Sequence, residues 1–600
     1  MKISINILYI LLFFCASIYG QNDTIKLKEV IVTGNRISLP ISEDSKTISY
    51  ISAEMIQSSP ANNLADLLQS VAGIDVRRRG VDGMQSDLYI RGGNFDQTLV
   101  LIDGIKMDDA QTGHHTMNAI LSLDNIESIE IVKGPAARVY GQNAFAGAIN
   151  IVTKKITDDS LNLKLGYGSY NNKKAAVGIQ ENFSDDASIL AHVERQESDG
   201  YRDNSDFKNN SVFIKSQFKN YTLISSFNDR KFGAENFYTS NPSYTEYEET
   251  ENSLVAVSSS HSISNLLIKP RVYWKRNQDM FVLKRDDPSF YRNLHISNKI
   301  GFETNMVYNS NLGKTGFGID IAKVYLRSNN LGDRDRLMFN SFFEHRFDNL
   351  EKFDVTLGLA ISSFSDFDTQ FLPGLDLGYK LNDNFKVFGN IGYTYRVPTY
   401  TDLYYSDPSN EGNSELEPES AISEEIGVKY LTDSFNFTLS LFNRNSSNLI
   451  DWTRNSTDEK WKAQNFSAVE TKGFETSANF IFKWANFNQR FDVSYNFIDD
   501  NIKDQDVTYT RYSLNSLKHQ FTASLNTQFF KFLNQTISYR YVERTEGSSY
   551  NLVDAKVSVA LHNFVFSLNA NNIFNTEYIE AGLVPMPKGN VMFGIAYKVY

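Results

Sequence analysis

The chain has 600 residues, of which 41% are hydrophobic and 13% aromatic, with 43 Phe and 32 Tyr against 12 Pro, and a formal net charge of -12. A mean hydropathy of -0.36 excludes a bundle of membrane-spanning helices. The acidic balance, without a basic stripe, excludes nucleic acid as the main partner.

Residues 1–20 open with Lys2, the apolar run ILYILLFF and the small residues Ala16, Ser17 and Gly20, which is the pattern of a secretory signal peptide cleaved after Gly20. An uncleaved anchor is the alternative, although the apolar core is short for a span. The only cysteine, Cys15, falls inside this segment, so the exported chain is not held together by disulfides. Within residues 21–38, KEVIVTG (Lys28, Glu29, Val30, Ile31, Val32, Thr33, Gly34) is an extended β-forming stretch. It suits either the first strand of the next domain or strand addition to a partner's sheet edge. Residues 39–155 read as a mixed α/β domain. Ser52 is cap-like, Pro60 is a break, and Leu64, Leu67, Leu68 and Val71 follow helical spacing up to a stop at Gly73. Short strand-like runs follow, punctuated by glycines.

From 156 to 600 the pattern is strict alternation with no convincing helix. Eleven segments from 161–169 to 353–363 and eleven more from 370–381 to 589–600 predict twenty-two strands. Tight turns alternate with long polar connections at 197–210, 230–253, 278–297, 398–420, 447–466 and 574–588. An all-β, up-and-down transmembrane barrel produces this rhythm, because its turns are short on one membrane side and its loops long on the other. A soluble sandwich has no reason for it.

Several motifs resemble the TonB-dependent outer-membrane receptors: KEVIVTG as the TonB box, LYIRGGNFDQTLVLIDGI (88–105) and IESIEIVKGPAARVYGQNAFAGAINIVTKK (126–155) as the plug signature, the block 395–430, and NNIFNTEY with the final strand. The resemblance implies a plug inside the barrel, residence in a Gram-negative outer membrane in contact with its lipid, and a pull by TonB and its inner-membrane energising complex on residues 28–34. One departure is Tyr600, which lies off the parity of Val591, Phe593, Ile595, Tyr597 and Val599.

Alternation turns Glu425 of AISEEIGVKY toward the lumen, where an unpaired carboxylate is costly. Arg91 and Lys133 of the plug are its expected partners in a plug-barrel latch; solvation in a polar lumen is the alternative. His114 and His115 lie in an apical plug segment, either as substrate contacts or as a hydrogen-bonded loop pair with no identifiable third ligand. Asp199, Asp203 and Asp206 are a candidate calcium loop or an ordinary solvated loop. Tyr238, Tyr404 and Tyr405 are candidates for a substrate vestibule or a membrane girdle. No cofactor is required by these motifs, and no enzyme motif is present. The small barrel and the segment 103–127 look most like the cobalamin branch, so a corrinoid is the expected cargo. A ferric siderophore, haem or another metal chelate is the alternative, and a structural or adhesive barrel is the rival without transport.

Overall fold

The computed structural model describes residues 30–32, 36–82, 84–119, 121–484, 486–503, 508–512, 516–547 and 549–599. The expected signal peptide, Lys28, Glu29, Thr33, Gly34 and Tyr600 lie outside the described residues. Twenty-two long antiparallel strands, from Ser160–Gly168 to Asn590–Val599, form a closed barrel. The first pairs with the last, from Leu161 opposite Val599 to Gly168 opposite Met592, so no strand edge remains open to lipid.

Period two explains the wall. In the first strand Leu161, Leu163, Leu165 and Tyr167 are exposed on the lipid face, while Asn162, Lys164 and Gly166 alternate inward. Several strands are far longer than the roughly 9–11 residues that cross a bilayer. Arg292–Ser310 has 19 residues and Trp461–Trp484 has 24. The expected loops at 230–253, 278–297 and 447–466 are accordingly shorter than read. Tyr247–Ser259, Leu266–Val282 and Phe435–Arg454 run into them, because a hairpin standing above the membrane needs no apolar outer face. A second correction concerns helix: Tyr400–Tyr404 forms one turn, started by a capping box between Thr399 and Asp402.

Inside the barrel, the plug is a five-stranded mixed sheet. Its order is Ile48–Ser52, Ile126–Lys133, Gly147–Thr153, Thr98–Ile102, Ile105–Lys106, with the third and fourth parallel. The last hairpin turns at Asp103 and Gly104, both at positive φ (47° and 79°), the Asp-Gly turn that matches strand twist. Ile129, Ile131, Ile149 and Ile151 fill the core beneath two short helices, Ala53–Ser58 and Leu64–Leu68, capped by Ser52 and Asn63. Ile31–Val32 pairs with Leu39–Pro40. Lys429, beside a tight turn, donates to Ile41 O (3.1 Å), so this N-terminal segment sits at the short-turn end.

Leu165→Arg is expected to destabilise the folded barrel in bilayers by about 2–4 kcal/mol, since it places a cation at mid-strand on the lipid face. Leu165→Val should change little; reversible urea unfolding in lipid vesicles checks both.

Candidate functional site

Buried charge is one of the fastenings between plug and wall. Arg91 follows the strand Ser86–Ile90 at a positive φ of 46°, a conformation retained because its N–H donates to Gly73 O (2.9 Å) and its guanidinium is bonded to the wall. Its guanidinium donates to Glu425 Oε1 (2.9 Å), Ser440 Oγ (3.0 Å) and Glu475 Oε2 (3.3 Å). It also lies 4.4 Å from the centre of the Phe442 ring. Glu425 further accepts from Thr47 Oγ1 (2.6 Å) and Asn390 Nδ2 (2.8 Å). Burial opposes the charge on Arg91, but the two carboxylates outweigh it and hold its pKa above the ordinary value.

Lys133 is not the partner expected. It pairs with Glu475 and donates to Ala72 O (2.6 Å), because the strand Ile126–Lys133 ends under Gly73, two strands from Glu425 along the wall. Two cations thus meet two carboxylates, all nearly inaccessible to solvent. Gly73 is required there twice over: its φ is 71°, and a Cβ would stand 2.8 Å from Glu475 Oε2. Glu475 was missed in the sequence, although the alternation that singled out Glu425 also turns it inward.

The same chemistry recurs around the plug. Lys106 meets Asp320 (2.6 Å), Asp108 meets Lys299 (2.7 Å), Arg138 meets Asp376 (2.9 Å) and Arg36 meets Glu303. Near the outer end Asp75 is held by Arg544 (2.7 Å) and Arg78 by Glu580 (2.7 Å). Burial would raise the Asp75 and Glu580 carboxyls, but Arg544 with Arg77, and Arg78 with Arg540, lower both below their ordinary values.

The outer loops grip the plug through Arg396, which bonds Glu419 (2.8 Å), Asp402 (3.2 Å) and, at 3.5 Å, Asp96. The one-turn helix extends this grip by main chain, since Tyr400 N donates to Ala110 O (2.8 Å) and Thr401 N to Gln111 O (3.0 Å). The Tyr405 ring lies 6.3 Å from Trp452, and its hydroxyl lies 3.3 Å from that of Tyr291. Arg334 covers the Tyr404 ring at 3.8 Å. Tyr238 sits on a different wall, bonded to Gln85 (3.2 Å) and Glu248 (3.1 Å).

The paired histidines part company. His114 bonds Asp87 (2.6 Å) and stacks on Phe95 at 4.0 Å, and burial lowers its pKa despite Asp87. His115 faces the barrel and meets Asp279 (3.2 Å). The calcium loop is not assembled: Asp206 is taken by Arg285 in a two-bonded pair (2.6 and 2.9 Å), Asp199 accepts from Asn171 (3.0 Å), and Asp203 points outward, so the three carboxylates do not converge. A cationic partner supplied in sequence by a loop 79 residues away was not visible from the acidic run itself.

Between the plug helices and the wall runs a cavity of about 1170 Å³. It extends from Val30, Asp383 and Thr432 at the short-turn end to Asn571 and Asn590 at the outer end, past polar Thr438, Ser477, Asn526 and Ser538.

A closed membrane barrel stoppered by a charge-fastened plug defines a gated transporter of the bacterial outer membrane. Residues 40–148 match the family described as TonB-dependent Receptor Plug Domain, and 150–573 that described as TonB dependent receptor-like, beta-barrel. The chain belongs to the TonB-dependent receptor family; it is a transporter, not an enzyme. It is similar to the vitamin B12 transporter BtuB of Vibrio vulnificus (strain CMCP6), at 25% identity over 480 residues, 76% of this chain and 75% of that protein. A second relative, BtuB of Photobacterium profundum, is 22% identical over 583 residues, 92% of each. Among solved structures, the siderophore receptor PirA from Acinetobacter baumannii superposes with a TM-score of 0.74 at 15% identity, over 92% of this chain and 98% of that one. The ferric-catecholate import receptor Fiu from K12 E. coli gives 0.76 at 16%, over 96% and 100%. At these identities the structural likeness establishes the fold alone.

Two outcomes follow. Arg91→Met leaves Glu425 buried without its cation and should destabilise plug docking by about 3–5 kcal/mol, with Arg91→Met/Glu425→Gln costing less than the sum. Urea-dependent labelling of a cysteine placed at buried Ala72 measures this. Second, the depressed carboxyls of Asp75 and Glu580 contribute stability that is fully present above the unfolded carboxylate range, about pH 4 to 4.5, and lost as pH falls through their lower folded values. Amide exchange at 74–78, corrected for intrinsic rate, should therefore accelerate below that range in the native protein and show a weaker acid dependence in Asp75→Asn.

Proposed function

We propose that this receptor imports a corrinoid, with cobalamin as the reference ligand. The observation that carries the reading is the extent of similarity to vitamin B12 transporters, which spans plug and barrel alike and covers 92% of both chains in one case. The outer vestibule supports it. Tyr291, Tyr404, Tyr405 and Trp452 present ring faces, Arg285 and Arg336 are paired with Asp206 and Asp366, and Arg334, Arg454 and Arg511 lie over the Tyr404 and Trp461 rings. Such an aromatic surface suits the broad face of a large macrocycle.

In this reading cargo settles on the aromatic wall beside the helix Tyr400–Tyr404. That helix is bonded to plug residues Ala110 and Gln111, so occupancy outside acts directly on the plug apex. Arg91, Lys133, Glu425 and Glu475 form the latch that keeps the plug seated until TonB, holding residues 28–34 as an added strand, draws on the N-terminal end. The polar cavity beside the plug helices gives water access to the pairs that must separate.

Trp452 and Trp461 lie in the vestibule, so cyanocobalamin should quench tryptophan fluorescence saturably in the micromolar range or below, with the response lost in Trp452→Phe/Trp461→Phe. Saturable quenching by a ferric siderophore and none by cyanocobalamin would assign the siderophore instead. Deleting residues 28–34 should abolish uptake while leaving ligand binding and barrel assembly intact. An unchanged phenotype would favour an adhesive or structural barrel.

A further inference from the structure

Among the described residues, two groups of three His, Asp or Glu side chains bring their ligand atoms within 4.8 Å of one another. One, Asp124 with His192 and Glu194, is already neutralised, since Lys164 pairs with Asp124 and Lys174 with Glu194 (3.0 Å). The other is His115, Glu248 and Asp279, where one imidazole faces two carboxyl groups and Tyr238 donates its hydroxyl to Glu248 Oε2 (3.1 Å). Within 4.0 Å the ion pair these two carboxylates make, among the described residues, is the one between Asp279 and His115. Glu248 is 2% exposed, His115 6% and Asp279 7%, which places two acidic groups side by side with one imidazole away from water.

The fold builds this group from three remote segments. His115 comes from the plug's apical turn Gly113–Ala119. Glu248 lies near the outer end of Tyr247–Ser259, and Asp279 near the outer end of the adjoining Leu266–Val282. In the ladder Thr250 is opposite Asp279, so Glu248 and Asp279 are diagonal neighbours on the lumen face. A second observation points inward as well: Asp279 Oδ1 is buried with no hydrogen-bond partner, and so is Oε1 of Gln111, whose amide nitrogen lies 3.4 Å from Asp279 Oδ2.

We propose that His115, Glu248 and Asp279 hold a divalent transition-metal cation, with Zn²⁺ as the reference ion, that staples the plug's apical turn to the barrel wall. One imidazole nitrogen and two carboxylates neutralise a 2+ charge and match the mixed nitrogen-oxygen preference of zinc. Calcium and magnesium favour six or more oxygens, which this group does not offer. The 3.2 Å between His115 Nε2 and Asp279 Oδ2 is close to the roughly 3.4 Å edge of a tetrahedron with bonds of about 2.0–2.1 Å. A fourth position is left for water or for Gln111 Oε1. With the cation on Nε2, the imidazole proton sits on Nδ1, 2.8 Å from the Asn118 amide, whose oxygen accepts it once the amide is turned over. The staple also stands next to the outer helix's contacts at Ala110 and Gln111, so a bound ion would stiffen the same plug segment that the vestibule touches. It does not depend on which nutrient is carried.

The test is calorimetric titration of ZnCl₂ into the full-length receptor, stripped with chelator in detergent, alongside Asp279→Asn, His115→Gln and His192→Gln. One equivalent should bind to the native protein and to His192→Gln, with affinity at least 100-fold lower in the other two variants. Substituted Co²⁺ should give a visible absorption band that both Asp279→Asn and His115→Gln remove, while native electrophoretic heat-modifiability confirms that each barrel is folded. No binding, or binding unchanged by Asp279→Asn and His115→Gln, or binding lost only in His192→Gln, would overturn the proposal.

Discussion

One arginine, Arg91, held between Glu425 and Glu475 on the barrel wall, is the contact around which the rest of the plug is arranged. Bringing four charges out of water is expensive, and the arrangement is stable only because each is paired and hydrogen-bonded at once. Thr47, Asn390, Ser440 and the Ala72 carbonyl complete that set. The positive φ at Arg91, the bare Cα of Gly73 against Glu475, and the end of the strand at Lys133 are all consequences of seating these charges.

The plug is fastened by ions as well as by an apolar patch it shares with the wall. The plug's core of isoleucines and leucines is continuous with Leu190, Phe213, Ile224, Leu254, Ala256 and Tyr273 on one side of the wall, and Met84 packs with Phe207 and Phe232, while elsewhere the plug meets the wall through buried charge pairs. Such an interface is specific in register, because each cation must find its carboxylate. Its charged groups can separate into water readily, since they are ones that water solvates well. The cavity alongside the plug helices already brings solvent-sized space to one flank. At the outer end, the helix Tyr400–Tyr404 and Arg396 tie the vestibule to the plug apex, so the sensing surface and the seated plug share hydrogen bonds rather than mere proximity.

Much of this was legible in the sequence because period two is a local signal. It assigned twenty-two strands and turned Glu425 inward, and the same rule applied to Thr471, Gly473 and Glu475 would have found the second acid. Which plug cation meets which acid was not legible: Lys133 and Glu475 are 342 residues apart, and their meeting depends on where a plug strand happens to end. Separation in sequence likewise hid the carboxylates opposite His115 and the Arg285 that occupies Asp206. The short helix was missed for a different reason. Its only local sign is Thr399 three residues before Asp402, in a polar stretch indistinguishable by composition from loop. Strand ends above the bilayer were underestimated because polarity was taken for irregularity.

The central claim is that the buried pairs of Arg91 and Lys133 with Glu425 and Glu475 hold the plug in place, alongside the apolar contact it shares with one side of the wall. Pulling single receptors by the N-terminal end in a supported bilayer addresses it most directly. The account predicts that the plug leaves before any barrel strand unfolds, and that Glu425→Gln/Glu475→Gln lowers the rupture force of that first event while leaving the barrel events unchanged. A first rupture force identical in the native and double-glutamine proteins would contradict it.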